Sequence, residues 1–319
     1  MKILLSTFPF GKYDKSPLKL LEDTGWEVVR NPFKRRLKAS DMVDLTSGVD
    51  GIIAGTEPYK DDLFAKNSKR LKVISRVGIG LDSIDFKSAL RYNVQVTYTP
   101  NAPSQAVAEL TLAQVINLNR FVLSSDRSIR NHAWNRMIGW LICERKVGIL
   151  GLGRIGKLLV KLLKPFDCEI LVYDIKPDMK FIKANNLKYV KCEELFKLSD
   201  ILSIHIPLDK NNHYFVDRPK LSVMKTGSLL INTSRGPILD ESALTDALLQ
   251  GHIGGAALDV FEKEPYEGIL SKLDNVILTG HIGASARQSR KEMEFRATED
   301  CIRVLKGLPP LRPAPIPHD

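Results

Sequence analysis

Arg235, Glu264 and His281 each stand where an apolar run gives way to a loop. Arg235 follows Leu230-Ile231-Asn232-Thr233-Ser234 and precedes Gly236-Pro237. Glu264 lies in Phe261-Glu262-Lys263-Glu264-Pro265, and His281 follows Val276-Ile277-Leu278-Thr279-Gly280. Together they are the parts that reduction of a 2-keto acid needs. A guanidinium can hold a carboxylate through two parallel hydrogen bonds. A histidine can give a proton to an oxygen near neutral pH as hydride reaches the adjacent carbon. A carboxylate beside that histidine orients its ring. Taken singly, each residue is ambiguous: a histidine after a strand is more often structural, and Arg-Gly is more often a turn. The joint pattern points to chemistry.

A second constellation concerns a nucleotide. Val147-Gly148-Ile149-Leu150 runs into Gly151-Leu152-Gly153-Arg154-Ile155-Gly156, a G-x-G-x-x-G between an apolar strand and a helix. Gly151 permits a tight turn, Gly153 lets backbone approach a pyrophosphate, and Gly156 lets helix pack on strand. Phosphates then meet the free amides and positive end of the helix. The next apolar strand, Glu169–Tyr173, ends in Asp174, placed to accept from ribose hydroxyls. Its charge would repel a 2′-phosphate, so NAD is expected rather than NADP.

These loops need sheets to hold them, and the chain alternates accordingly. Candidate strands are Lys2–Ser6, Gly25–Val29, Gly51–Ala54, Leu71–Arg76 and Val94–Thr97, with amphipathic stretches at Asp61–Ala65 and Ser83–Arg91. A helical run follows over Ser104–Ser125. A second set comprises Lys146–Leu150, the helix Arg154–Pro165, Glu169–Tyr173, Ile201–Ile204, Ser228–Asn232, Gly255–Asp259 and Asn275–Leu278. Ser285–Lys306 reads as a closing helix and Pro309–Pro317 as a loose tail. The order predicts an α/β protein of two Rossmann-like domains with parallel sheets. The nucleotide-binding domain, residues 99–286, is inserted in a discontinuous flavodoxin-like substrate domain made of residues 1–98 and 287–319. In such sheets ligands bind beyond the carboxyl ends of the strands, so the loops above belong on one edge.

The bulk properties agree. A chain of 319 residues with 44% hydrophobic content suits two globular domains. No apolar run approaches the roughly 18 residues that span a bilayer. Met1–Ser6 reads as a buried strand rather than a signal peptide. The 4 cysteines are scattered without a C-x-x-C, which predicts no disulfide framework and no metal site and fits a cytoplasmic setting. The net charge of +10 is spread over the chain with no nucleic-acid motif, so neither nucleic acid nor membrane is expected as a partner.

The residues carry a family resemblance from about Gly51 to the closing helix. Ser75-Arg76-Val77-Gly78-Ile79-Gly80-Leu81-Asp82, Thr99-Pro100-Asn101-Ala102-Pro103-Ser104, Gly151–Gly156, Asn232–Gly236, Ala256–Phe261, Glu264-Pro265 and His281-Ile282-Gly283-Ala284 resemble the D-isomer-specific 2-hydroxyacid dehydrogenases. Among these the chain looks most like the D-3-phosphoglycerate dehydrogenase branch. The resemblance implies hydride transfer between NAD and C2 of a D-2-hydroxy or 2-keto acid. It implies that Arg235 binds the substrate carboxylate, that His281 is the acid/base and that Glu264 is its partner. It places Gly78, Ile79 and Gly80 around the carboxylate, with Arg76 and Asn101 close by. Asp259 would face the nicotinamide carboxamide and Thr233 the ring. Arg154 and Ile155 would flank the pyrophosphate, with His205 and Pro207 near the adenosine half. A homodimer is implied, through the Ser104–Ser125 helix and an arm around Trp134 and Arg136.

Some residues depart from the family pattern. Ala54-Gly55-Thr56-Glu57-Pro58 lacks the arginine that helps hold phosphate in many phosphoglycerate enzymes. Ile206 and Asn212 stand where threonines are common. Regulation by serine through a C-terminal extension is not expected. Two alternatives stay open: a glyoxylate/hydroxypyruvate reductase, and a non-enzymatic NAD(H)-sensing protein of the corepressor kind. Glu264 disfavours a formate dehydrogenase, which pairs its histidine with glutamine.

Overall fold

A computed structural model describes residues 1–316. The chain divides into two compact units, Met1–Pro103 together with the segment from Ala284 onward, and Ser104–Gly283.

The first unit is built on a parallel sheet. Its strands are β1 (Lys2–Leu5), β2 (Glu27–Arg30), β3 (Gly51–Ala54), β4 (Val73–Arg76) and β5 (Gln95–Thr97), in the order β2-β1-β3-β4-β5. β3 and β4 are buried along their whole length, as expected for a parallel sheet covered on both faces. Alternate residues serve the two cores. Leu4, Ile52 and Ile74 pack in one cluster with Tyr59 and Phe64, while Ile3, Ile53 and Val73 pack in the other against Met293, Ala297 and Cys301 of the helix Arg287–Leu305.

The second unit carries β6 (Val147–Leu150), β7 (Ile170–Tyr173), β8 (Lys188–Tyr189), β9 (Ile201–Ile204), β10 (Ser228–Asn232), β11 (Ile253–Leu258) and β12 (Val276–Leu278). All pair in parallel, in the order β12-β11-β10-β9-β6-β7-β8. The order reverses at β6, whose neighbours are β7 and β9. That reversal is the crevice where dinucleotides bind in doubly wound sheets. Three other helices of this unit start on acidic caps: Asp178, Asp217 and Asp240 accept the amides of Phe181, Lys220 and Ala243.

Two expectations need correction. The run predicted as one helix over Ser104–Ser125 is two, Ser104–Arg120 and Val122–Arg130. Phe121 between them is left-handed at φ 53°, a conformation that cannot continue an α-helix. The proline-rich tail, as far as Ile316, is not loose. Pro313 bridges Thr97 in antiparallel fashion, the Tyr98 N–H donates to Arg312 O at 3.2 Å, and the Ala314 N–H to Val96 O at 2.9 Å. Arg312 Nε also donates to Asp300 Oδ2 at 2.7 Å, where Asp300 is fully buried in the closing helix. The tail thereby covers the open edge of β5. Pro317 lies outside the described residues.

Candidate active site

The loop after β6 is shaped by its glycines. Gly151 has φ +99°, and a Cβ there would strike the carbonyl of His205 at 2.8 Å. A Cβ on Gly156 would overlap the carbonyl oxygen of Gly151. Gly153 faces open space, and the helix Arg154–Leu163 that it caps has no side chain on its first amides. Arg154 is exposed and Ile155 half-buried at that helix start. Asp174 follows β7 and braces the turn: Oδ2 accepts from the Leu152 N–H and Oδ1 from the Lys176 N–H, each at 2.7 Å. A carboxylate has about four acceptor positions, so these bonds leave room for hydroxyl donors. Across the switch point, the His205 N–H donates to Leu150 O at 2.7 Å, and its Nε2 lies 2.7 Å from Ser203 Oγ. Burial pushes the His205 imidazole down to about 4. Pro207 follows, exposed.

The carboxyl ends of β10, β11 and β12 hold the catalytic candidates. Asn232, fully buried at the end of β10, organises the Arg235 turn. Its Oδ1 accepts from the Ser234 N–H at 3.0 Å and from Ser234 Oγ at 2.8 Å, while Nδ2 donates to Arg235 O at 2.9 Å. Arg235 itself is half-buried. Thr233 beside it is buried, with its hydroxyl 3.0 Å from that of Thr111 on the helix Ser104–Arg120.

Asp259, just past β11, is buried and grips the loop after β12. Its Oδ1 accepts from Thr279 Oγ1 at 2.6 Å and the Ile282 N–H at 2.8 Å, and Oδ2 from the Gly283 N–H at 2.7 Å. The His281 N–H donates to Asp259 O at 2.8 Å. His281 stands within this clamp at φ 55°, a left-handed backbone that costs of order 1–3 kcal/mol and persists only where its surroundings fix it.

His281 Nδ1 lies 2.9 Å from Glu264 Oε2 and 3.2 Å from Oε1. Glu264 Oε1 also accepts from the Phe261 N–H at 3.2 Å. A carboxylate can only accept, so Nδ1 carries the hydrogen and Nε2 is the nitrogen left for proton exchange. The His281 side chain is 36% exposed, which leaves the ring open to a small molecule. The geometry of the second unit thus joins a proton-exchanging imidazole, its oriented carboxylate and an arginine on neighbouring strand ends.

Residues 112–283 match the family described as D-isomer specific 2-hydroxyacid dehydrogenase, NAD binding domain. The chain belongs to the D-isomer specific 2-hydroxyacid dehydrogenases. This dehydrogenase is 35% identical over 302 residues to a glyoxylate reductase of Thermofilum pendens, covering 91% of the chain and 86% of that protein. It is 32% identical to a D-3-phosphoglycerate dehydrogenase of Methanocaldococcus jannaschii over 91% of the chain but only 55% of that protein. Among solved structures, a Thermus thermophilus protein superimposes with a TM-score of 0.89 at 31% identity, covering 99% of this chain and 100% of the other. The dehydrogenase is therefore an NAD-dependent oxidoreductase of D-2-hydroxy and 2-keto acids. The open space at Gly153 and the uncapped helix start fit a pyrophosphate, and the spare acceptor positions of Asp174 fit a ribose.

In the first unit of the dehydrogenase, the other expected residues lie at the end of β4, in the loop after it and after β5. Arg76 is buried and Asn101 exposed. Gly78 has φ +147°, and its N–H is already held by Thr99 Oγ1 at 2.8 Å. Sequence reasoning assigns no role to some of the residues that hold these loops. Asn232 is one, although asparagine before a tight turn is a known turn former and could have been noticed. Thr279, whose hydroxyl donates to Asp259, carries no such local signal.

Proposed function

We propose that this dehydrogenase interconverts a small, unphosphorylated 2-keto acid, glyoxylate or hydroxypyruvate, with the corresponding D-2-hydroxy acid. The observation that carries the catalytic part is the 2.9 Å contact between His281 Nδ1 and Glu264. In the reducing direction Arg235 holds the substrate carboxylate and steadies charge growing on the C2 oxygen. His281 gives that oxygen a proton from Nε2, and Glu264 keeps the ring in the tautomer that makes this possible. NAD(H), when bound, supplies or accepts the hydride. Gly151, Gly153, Arg154, Ile155, Gly156, Asp174, His205 and Pro207 would hold its adenosine and pyrophosphate half, and Thr233 and Asp259 the nicotinamide half.

The choice of acid rests on two supports. The glyoxylate reductases of Thermofilum pendens and Pyrococcus horikoshii match over 86% and 91% of their own length. In addition, the position after β3 that would suit a phosphate-holding arginine is occupied by Gly55-Thr56-Glu57. Glu57 there is buried and accepts from Tyr59 OH at 2.8 Å. A homodimer fits the exposed apolar side chains of Ile129, Trp134, Ile138 and Trp140. A cytoplasmic location is part of the same reading. Steady-state rates with NADH and glyoxylate, hydroxypyruvate, pyruvate and 3-phosphohydroxypyruvate test it. The highest kcat/KM is expected with glyoxylate or hydroxypyruvate; a preference for the phosphorylated acid overturns the assignment.

A further inference from the structure

The Arg235 loop and the Glu264 loop are tied together by a reciprocal pair of acidic residues that the chemistry above leaves unused. The Glu241 N–H donates to Glu262 Oε1 at 3.0 Å, and the Glu262 N–H donates back to Glu241 Oε1 at 2.5 Å. Glu241 opens the helix Glu241–Leu249, so Glu262 satisfies one of the amides that a helix start leaves without an internal partner. Tyr214 OH donates to Glu262 Oε2 at 2.9 Å and holds that side chain from the other side. A few residues upstream, Gly236 lies against the Phe261–Glu262 peptide so closely that any Cβ would overlap its carbonyl. The next amide in the same stretch, that of Phe261, goes to Glu264 itself.

These contacts run in sequence. Arg235 precedes Gly236, and the chain leads on to Glu241. Glu262 is two residues from Glu264. Whatever fixes Glu241 against Glu262 therefore fixes the spacing between the arginine turn and the carboxylate that orients His281. Both partners use a carboxylate to take a backbone amide, the stronger, charge-assisted kind of bond. The arrangement also costs electrostatic energy. Burial raises the Glu241 carboxyl above its ordinary range, and the neighbouring Glu262 and Glu264 raise it further. An ordinary loop tether would not require three acidic side chains in one place.

We propose that Glu241 and Glu262 are a positioning pair that sets Glu264, and through it His281, at working distance from Arg235. The inference rests on the assignment of Glu264 as the partner of His281. Both act through the loops they join.

The test is a double-mutant cycle on the full-length protein, with glyoxylate and NADH as reactants. Glu241→Ala is expected to lower kcat about 10- to 100-fold, the scale of a small misplacement in a catalytic site. KM for NADH should stay within about twofold, because the pair joins the Arg235 and Glu264 loops and not the Gly151–Gly156 turn. Glu241→Gln keeps an acceptor oxygen and is expected to recover most of the loss. In a Glu264→Gln background the further change Glu241→Ala should cost almost nothing, since the positioned group is already gone. An unchanged kcat in Glu241→Ala overturns the proposal. So does an equal loss in both backgrounds, which would mean a general structural role. If Glu264→Gln alone leaves kcat intact, the assignment of Glu264 fails first, and the positioning pair with it. Glu262→Ala, at an exposed position, repeats the cycle from the other partner should Glu241→Ala not fold.

Discussion

Asp259 and Gly283 are joined by a buried hydrogen bond of 2.7 Å, from the glycine amide to the carboxylate. The same carboxylate takes Thr279 Oγ1 and the Ile282 amide, so the segment that presents His281 is held from within the protein. Asp259 was expected to face a nicotinamide carboxamide. Its bonds give it a second duty, because the loop it clamps contains a left-handed histidine.

Replacing Asp259 by Ala should therefore destabilise the protein as well as weaken the cofactor. Three donors lose a buried acceptor, and each such loss costs roughly 1–3 kcal/mol before relaxation. A fall in Tm of at least roughly 6 °C is expected, from about 3 kcal/mol at the low end and about 2–4 °C per kcal/mol for a domain of this size. Differential scanning fluorimetry of the apoprotein measures it. An unchanged Tm would show that the clamp does not hold the loop.

His205 links stability to pH. Burial holds its folded value at about 4, against an ordinary 6.5. Between these values the unfolded chain binds the proton and the folded protein does not. Its contribution is therefore present above pH 6.5 and is lost as pH falls toward 4. Urea midpoints measured across that window should fall more steeply for the parent than for His205→Gln. Parallel curves would mean that the imidazole is not shielded in the fold.

Asp174 should decide between NAD(H) and NADP(H). The parent is expected to favour NAD(H) in kcat/KM, and Asp174→Ala should narrow the gap by removing both the ribose acceptor and the repulsion of a 2′-phosphate. Because Asp174 also holds the Leu152 amide, the variant should bind NADH more weakly too. A parent preference for NADP(H) would contradict the reading.

Arg235→Ala should abolish most turnover and weaken substrate more than cofactor. Truncating one member of a buried charged pair costs on the order of 2–5 kcal/mol. Calorimetric titration with oxalate, a planar mimic of the keto acid, reports this directly. Undiminished oxalate affinity would remove Arg235 from carboxylate binding.

How far the sequence led is clear from particular residues. The strand ahead of Gly151 and the loops of Arg235 and His281 were legible, because apolar runs bounded by glycine mark buried parallel strands. The contact of His281 with Glu264 could be expected only from the joint pattern and the family resemblance, since the two residues lie on different loops. The break at Phe121 was hidden because a left-handed phenylalanine has no local signature. The tail misled through its prolines, which suggest a free end. What anchors it is Arg312, meeting a buried Asp300 from a helix turn that looks no different from its neighbours in sequence. The reciprocal bonds of Glu241 and Glu262 belong to the same class: long-range pairings of ordinary surface-type residues, visible only once β10 and β11 lie side by side.

If His281 is the proton donor in keto-acid reduction, its loss must slow the chemical step and spare cofactor binding. Single-turnover reduction of glyoxylate by NADH-loaded His281→Ala measures it most directly, with NADH binding followed in the same sample by fluorescence. A fall of roughly 10²–10⁴-fold in the chemical step is expected, the range for loss of a general acid, with NADH affinity nearly unchanged. A chemical step within a few-fold of the parent would contradict it.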